Sequence, residues 1–186
     1  MEDEKSIDTP MPTNGNLERN ENGKDVDVNK YRGMTGYLLY LTASRSDIMF
    51  SMCMCACYQP TAKESHLKDV KRILIYLHGT LKYELWYSKG SDCNLVGFID
   101  SDFSSCKSDR NSTSGTCHMF SNYLVSWHSK KQVFVALLTF GEEYIAVGNC
   151  CAQILWLKQK LLDFDIKLHC IPIMCDNTSV INLTKT

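Results

Sequence analysis

The sequence predicts an α/β fold, a mixed sheet with flanking helices, in the second half of the chain. From about residue 89 onward, short apolar runs follow the order strand, strand, strand, helix, strand, helix. Residues 31–88 carry helical periodicity instead, and residues 1–30 are polar and contain proline and glycine. We therefore expect three parts: a disordered tail at 1–30, a helical region at 31–88 and an α/β domain at 89–186.

The composition limits the classes of function. The 186 residues carry a net charge of −1, so contact with nucleic acid would have to use local basic patches. None of the ten cysteines is in a C-x-x-C pair, so no two such pairs lie at zinc-finger spacing. The first residues do not resemble a secretory signal, so we expect reduced thiols and an intracellular, cytoplasmic or nuclear location without secretion. The apolar runs are too short to span a bilayer, so we expect no membrane partner.

The helical region is expected to contain two short helices and one longer amphipathic helix. The short helices are separated near Ser44–Ser46 and end by Pro60. The longer helix ends near Gly79, and its apolar stripe consists of Leu67, Val70, Leu74 and Leu77. Basic side chains lie on a neighbouring face, where they could contact phosphates or form an ordinary solvated surface. These are Lys68, Lys71 and Arg72.

The α/β domain is expected to begin with the strand Leu95–Asp100. A hairpin then turns at Ser121-Asn122, a helix covers about 141–164, and the short strand "IPIMCD" precedes a last helix at "NTSVINL". If the first and fourth strands are parallel neighbours, Asp100 and Asp176 meet at one edge of the sheet. The carboxyl ends of such strands are a common position for functional sites.

The predicted helix can supply a third carboxylate. Glu143 heads its apolar stripe, whereas Glu142 heads a largely polar one. The apolar stripe continues through Val147, Cys150, Ile154, Leu157 and Leu161, and the polar one through Ala146, Asn149, Gln153 and Lys160. Three carboxylates at one place would suit Mg²⁺, with Mn²⁺ possible. For any single residue, a turn-forming aspartate or a favourable charge in the first helical turn is an alternative explanation.

Six stretches carry a family likeness. They are "KYRGMTGYLLYLTASRSDIMFS", "HLKDVKRILIYLHGTL", "LVGFIDSDFSSCKSDRNSTSGTC", "LVSWHSKKQ", "EEYIAVGNCCAQILWLKQKLLDF" and "IPIMCDNTSVINL", in this order. Through these six stretches, the chain resembles a copia-type retrotransposon Pol polyprotein from about Val26 onward. The resemblance is to the thumb and connection region of the reverse transcriptase, followed by a ribonuclease H domain truncated at its C-terminus.

The resemblance implies roles for particular residues. Asp100, Glu143 and Asp176 would bind the metal ions and form the catalytic set, with Asp102 at most in a supporting role. The implied reaction is Mg²⁺-dependent endonucleolytic cleavage of RNA in an RNA–DNA hybrid. Lys130 and Lys131, in "HSKKQ", could line the hybrid groove, and the helical region could contact a template–primer duplex. His66 also matches a family position, where we expect a structural role.

Several departures from the family pattern suggest that this activity is weak or lost. Against the family pattern, a fourth ligand expected after Asp176 is missing, and so is the final helix of the family's domain, which would follow the helix at "NTSVINL". Phe140 and Gly141 replace small and acidic residues, and Ser105 replaces a glycine. No Y-x-D-D stretch is present, so we expect no polymerase activity. The alternatives are a non-catalytic remnant that binds nucleic acid and a module that the host has adopted for interactions; the oligomeric state stays open.

Overall fold

The structure is a computed structural model that describes residues 7–12, 17, 20–89, 92–102, 112–132 and 139–183. The chain divides into two compact units, Met1–Leu85 and Trp86–Thr186. Each unit has its own apolar core, and each is described by itself. No helix among the described residues is long and apolar enough to cross a membrane.

Three helices form the first unit. They are α1 (Val28–Leu41), α2 (Met49–Ala56) and α3 (Glu64–Gly79), and a short 3₁₀ turn, Ser46–Ile48, precedes α2. The Asp27 side chain caps α1 by accepting hydrogen bonds from the backbone N–H groups of Asn29 and Lys30. The expected break near Ser44–Ser46 and the long amphipathic helix are both confirmed.

The core of the first unit lies where the three helices meet. The Tyr31 hydroxyl donates to the Cys55 carbonyl oxygen over 2.8 Å, which ties α1 to α2. On α3, Val70 and Leu77 of the expected stripe are buried, and Leu67 and Leu74 are partly buried against the same core. The helices therefore bury the faces that their periodicity predicts.

The described part of the N-terminal segment packs against this core. Leu17 is buried, and its carbonyl oxygen accepts a hydrogen bond from the Tyr58 hydroxyl. Asp25 and Lys63 form an isolated β-bridge and an ion pair of 2.6 Å. At these positions the structure departs from the expected disordered tail, because Leu17 supplies an apolar contact and the bridge satisfies backbone groups. Residues 1–6, 13–16, 18 and 19 lie outside the described part of the chain.

A mixed sheet of four strands forms the centre of the second unit. The strands are β1 (Leu95–Asp102), β2 (Thr113–Phe120), β3 (Tyr123–Lys131) and β4 (Ile173–Met174), in the order β3-β2-β1-β4. β1 pairs antiparallel with β2 and parallel with β4, and β2 pairs antiparallel with β3. The α/β class with a mixed sheet is confirmed, whereas the specific ribonuclease H fold stays a prediction.

The turn between β2 and β3 is the expected two-residue hairpin turn. Ser121 and Asn122 both have positive φ values, 52° and 69°. Positive φ at both central residues is the requirement of a type I′ turn, whose twist matches that of the flanking strands. The turn therefore determines the register of the hairpin, apart from a bulge between His118 and Met119.

Two helices, α4 (Thr139–Leu162) and α5 (Thr178–Leu183), complete the second unit. α4 packs over β1 and β2, and its contact with β1 is close at Gly97. Ala146, Cys150 and Ile154 of α4 are buried there. The assignment of Ala146 to a polar stripe was therefore wrong, because the buried face is wide enough to include it.

Replacing Gly97 with alanine is expected to destabilise the second unit. A Cβ atom at this position would lie 2.8 Å from both the Cys150 Sγ and the Ile154 Cδ1 atoms. Overpacking of this kind costs about 1–3 kcal/mol. The free energy of unfolding can be measured in urea by tryptophan fluorescence, because Trp86, Trp127 and Trp156 all lie in this unit.

The matched control is Gly148→Ala on α4. Apart from the adjacent residues and the backbone of the helix itself, the described residues place no atom within 4 Å of a Cβ built there, and alanine is the better helix former by up to about 1 kcal/mol. The control variant should therefore be as stable as the wild type or more stable. Equal stability of the Gly97→Ala variant and the wild type would contradict the close contact between α4 and β1.

Candidate metal centre

Glu143 is a buried carboxylate in the N-terminal half of α4. Only 8 % of the residue is exposed, as expected for the head of the apolar stripe. The described residues supply no ion pair to it. An ionised carboxylate that has lost its water is costly unless a cation or several hydrogen bonds compensate it. The Glu143 carboxylate therefore needs a cation or hydrogen-bond donors close to it.

Two residues at the end of β4 lie beside this carboxylate. One possible ligand atom from each of Glu143, Cys175 and Asp176 lies within 4.8 Å of the other two. The Cys175 thiol donates a hydrogen bond to Glu143 Oε2, with a distance of 3.6 Å between the sulfur and the oxygen. Burial raises the pKa of this thiol, and the nearby Glu143 carboxylate raises it further, so the thiol stays protonated at neutral pH.

Asp100 lies on β1, next to this group but not within it. The parallel register pairs Phe98 with Met174, so its continuation by two residues would place Asp100 level with Asp176. The expected neighbourhood of the first and fourth strands is thus confirmed. However, Asp100 is exposed, and its carboxylate is not among the three ligand groups that lie within 4.8 Å of one another. The side chain of Asp102 lies outside the described part.

The residues of this group fit a divalent cation. Glu143 and Asp176 offer the carboxylate oxygens that Mg²⁺ prefers, and the exposure of Asp176 leaves a path for an ion to enter. A cation would also offset the cost of burying Glu143. Of the three carboxylates expected to bind metal, the structure brings two together, and the role of all three stays a prediction.

The sequence motifs did not indicate Cys175, the third member of this group. Strand alternation would have indicated it, because Ile171, Ile173 and Cys175 repeat with a period of two and all pack against the core. The apolar stripe of α4 packs against the same core. Cys175 therefore lies on the face of this segment that packs under α4, the helix that carries Glu143.

A polar cleft of about 530 Å³ lies between α4 and the β2–β3 hairpin. The face of a sheet under a helix is usually apolar. The floor of this cleft is polar instead, because Ser114 and Thr116 are buried there. Gln153 of α4 donates to the Ser126 hydroxyl over 3.2 Å. Lys130 and Lys131, the two cations expected to line a nucleic-acid groove, both line this cleft.

The basic residues of α3 are arranged differently. Lys68 and Lys71 are exposed, whereas Arg72 is partly buried and donates to the Thr9 hydroxyl over 3.1 Å. His66 is buried, stacks on the Tyr58 ring and accepts a hydrogen bond from the Lys63 backbone N–H. These contacts support the expected structural role of His66, and contact between the three cations and phosphates stays a prediction.

Comparison with known proteins finds several relatives that are retrovirus-related Pol polyproteins from transposons. The chain is 33 % identical over 174 residues to the retrovirus-related Pol polyprotein from transposon RE1 of Arabidopsis thaliana. It is 31 % identical over 193 residues to the corresponding polyprotein from transposon TNT 1-94 of Nicotiana tabacum. These matches cover 93 % and 100 % of this chain. The chain belongs to the copia-type retrotransposon Pol family.

The chain spans only a small segment of the Pol polyproteins that it matches. It covers 12 % of the RE1 polyprotein and 14 % of the TNT 1-94 polyprotein. A further relative, the secreted RxLR effector protein 161 of Plasmopara viticola, is 31 % identical over 128 residues, which are 68 % of this chain and 90 % of that protein. No family model and no solved structure matches the chain.

Replacing Glu143 with glutamine is expected to stabilise the metal-free Pol segment. Glutamine keeps an acceptor for the Cys175 thiol and removes a buried charge, a gain on the order of 1 kcal/mol. Mg²⁺ should raise the melting temperature of the wild type, because it binds the folded state, but not that of the variant. Differential scanning calorimetry with Mg²⁺ and with a chelator measures both effects.

The matched control for this experiment is Asp163→Asn at the exposed C-terminal end of α4. Asp163 forms a 3.3 Å ion pair with Lys160, a surface pair of small energetic value. This variant should keep the Mg²⁺ response of the wild type. A Glu143→Gln variant that is less stable than the wild type in chelator would show that the protein already compensates the carboxylate.

Proposed function

We propose that this Pol segment carries a ribonuclease H-type activity, a Mg²⁺- or Mn²⁺-dependent endonucleolytic cleavage of RNA in an RNA–DNA hybrid. The observation that carries the proposal is the buried Glu143 carboxylate beside Asp176, at the end of a strand parallel to β1. Asp100 lies on β1, which pairs in parallel with β4, and is the third proposed member. We propose that the remaining activity is weak, because Asp100 lies outside the compact group.

The proposed roles follow from the chemistry of phosphodiester hydrolysis. Water attacks the phosphorus atom of the RNA strand, the bond from phosphorus to the leaving oxygen breaks, and that oxygen takes up a proton. A bound divalent cation would help by lowering the pKa of the water and by stabilising negative charge. Glu143 and Asp176 would hold the cation, and a carboxylate at Asp100 could orient the water by accepting a hydrogen bond.

The cleft beside α4 is the proposed contact for the nucleic acid. Lys130 and Lys131 would bind phosphates, and the hydroxyl and amide groups of Ser126, Asn149 and Gln153 could bind sugar or base edges. Discrimination between RNA and DNA would require contacts to the 2′-hydroxyl groups and to the shape of the hybrid. Lys68 and Lys71 on α3 are a separate proposed contact, for a template–primer duplex.

A non-catalytic module is the second candidate function. Two observations favour it: Asp100 is absent from the compact group, and a thiol takes part in that group instead. A relative of which this chain covers 90 % is named a secreted effector, so related sequences occur as separate proteins outside a polyprotein. In this case the chain would bind nucleic acid or a host protein without cleaving RNA.

Cleavage of a labelled RNA–DNA hybrid with Mg²⁺ or Mn²⁺ tests the first candidate. The wild-type chain should cleave the RNA strand, and Glu143→Gln and Asp100→Asn should each reduce the rate at least about 100-fold, because charge stabilisation in the transition state is lost. The products can be separated on a denaturing gel.

Asp163→Asn, folded and equally charged, serves as the control and should cleave as fast as the wild type. A chelator should abolish all cleavage. If the folded wild type, purified free of other nucleases, leaves the hybrid intact with both cations, the nuclease proposal is wrong and the binding module is favoured. Cleavage that survives both substitutions would exclude these carboxylates from the reaction.

The double variant Lys130→Ala/Lys131→Ala is expected to bind the hybrid less tightly. Each phosphate contact contributes about 0.7–0.9 to the slope of log K against log salt, so the slope should become shallower by about 1.5. Fluorescence anisotropy of a labelled hybrid, titrated in chelator over a range of salt concentrations, measures the slope.

The double variant Lys158→Ala/Lys160→Ala removes the same charge from the C-terminal half of α4 and is the matched control. It should change the slope much less than the first pair. Equal slopes for the two double variants would mean that net charge alone governs binding and that the cleft makes no specific contact.

A further inference from the structure

The group at the end of β4 has a donor set that Mg²⁺ alone does not explain. Its third member is the sulfur of Cys175, within 4.8 Å of an oxygen of each carboxylate. Mg²⁺ binds oxygen ligands in a strict octahedral arrangement, whereas thiolate ligands select Zn²⁺ and other soft or borderline cations. A site of two oxygens and one sulfur is therefore better suited to Zn²⁺ than to Mg²⁺.

The spacing of two of these donors matches a zinc site. Zn–S and Zn–O bonds of about 2.3 Å and 2.1 Å, at a tetrahedral angle, separate the sulfur from the oxygen by about 3.6 Å. The distance between Cys175 Sγ and Glu143 Oε2 is 3.6 Å. The ligand atom of Asp176 lies within 4.8 Å of both, so a movement of about one ångström of an exposed side chain would complete three ligands.

We propose that Glu143, Cys175 and Asp176 form a binding site for a borderline divalent cation, of which Zn²⁺ is the best fit. Cys175 supplies a thiolate, Glu143 and Asp176 supply one carboxylate oxygen each, and the fourth position is open to water. Without metal, the thiol proton forms the hydrogen bond from Cys175 to Glu143. Metal binding releases this proton into the solvent. The cation replaces this weak donor as the partner of the buried carboxylate.

The site shares two residues with the proposed Mg²⁺ site, so Zn²⁺ should compete with Mg²⁺ there. Binding of Zn²⁺ requires no nuclease activity, whereas inhibition of cleavage by Zn²⁺ rests on the proposed function. Because the same carboxylates would serve both ions, cysteine in the place of an oxygen ligand would shift the preference of the site away from Mg²⁺.

Binding of Co²⁺ to the chain with reduced thiols tests the proposal, because a thiolate bound to Co²⁺ has a charge-transfer absorption band. The wild type should show this band, and Zn²⁺ should remove it by displacing Co²⁺. Cys175→Ser should lose the band and bind Zn²⁺ at least about tenfold more weakly, since loss of even an outer partner of a metal ligand costs that much. Glu143→Gln should weaken binding while the sulfur remains.

Cys170→Ser is the matched control, because Cys170 is an exposed cysteine five residues away on the same segment. This variant should keep the band and the affinity of the wild type. Circular dichroism with and without metal establishes that each variant is folded, and Cys175→Ala is a second test if the serine variant unfolds. A band that persists in Cys175→Ser, or equal Zn²⁺ affinity in wild type and variant, overturns the proposal.

The failure of this inference can be distinguished from the failure of the nuclease proposal. If the wild type binds Co²⁺ through Cys175 but never cleaves a hybrid with Mg²⁺, the proposed Zn²⁺ site is supported and the nuclease proposal is wrong. If the wild type cleaves the hybrid and its affinity for Zn²⁺ does not depend on Cys175, the nuclease proposal is supported and the proposed Zn²⁺ site is wrong.

Discussion

The parallel pairing of β4 with β1 is the constraint on which the second unit depends. β4 has only two residues in the sheet, yet its position beside β1 brings the next two residues, Cys175 and Asp176, beneath the N-terminal half of α4. The close contact at Gly97 sets how near α4 lies to the sheet. If either contact were lost, Glu143 would no longer face the end of β4, and the carboxylates would be separate surface groups.

Much of this arrangement could be predicted from the sequence, because it follows from local rules. The turn at Ser121-Asn122 follows from residues that tolerate positive φ, and the buried face of α4 follows from helical periodicity. The neighbourhood of β1 and β4 needed one assumption about topology, which the structure confirms. The mixed sheet followed from the order of its elements.

What the sequence did not predict depends on geometry beyond the period of one element. Ala146 is buried because α4 lies flat on the sheet and covers a wider face than one stripe. Leu17 packs against the first core, with Met11 and Val26 partly buried against it, because apolar residues in a polar segment can contact partners that are distant in sequence. Asp100 ends the expected strand, but β1 continues to Asp102 and Asp100 lies outside the compact group, so the order of the elements alone could not show which carboxylates lie within reach of one another.

The burial of Cys55 and Cys150, one in the core of each unit, has a consequence for the dynamics of the protein. Burial raises the pKa of Cys55 to about 12 and that of Cys150 to about 11, so both thiols are unreactive while their unit is closed. Alkylation of either thiol must therefore wait for its surroundings to open, and its rate measures the free energy of that opening. The chain thus contains one native probe of local unfolding for each unit, and comparison of the two rates shows whether the units open independently.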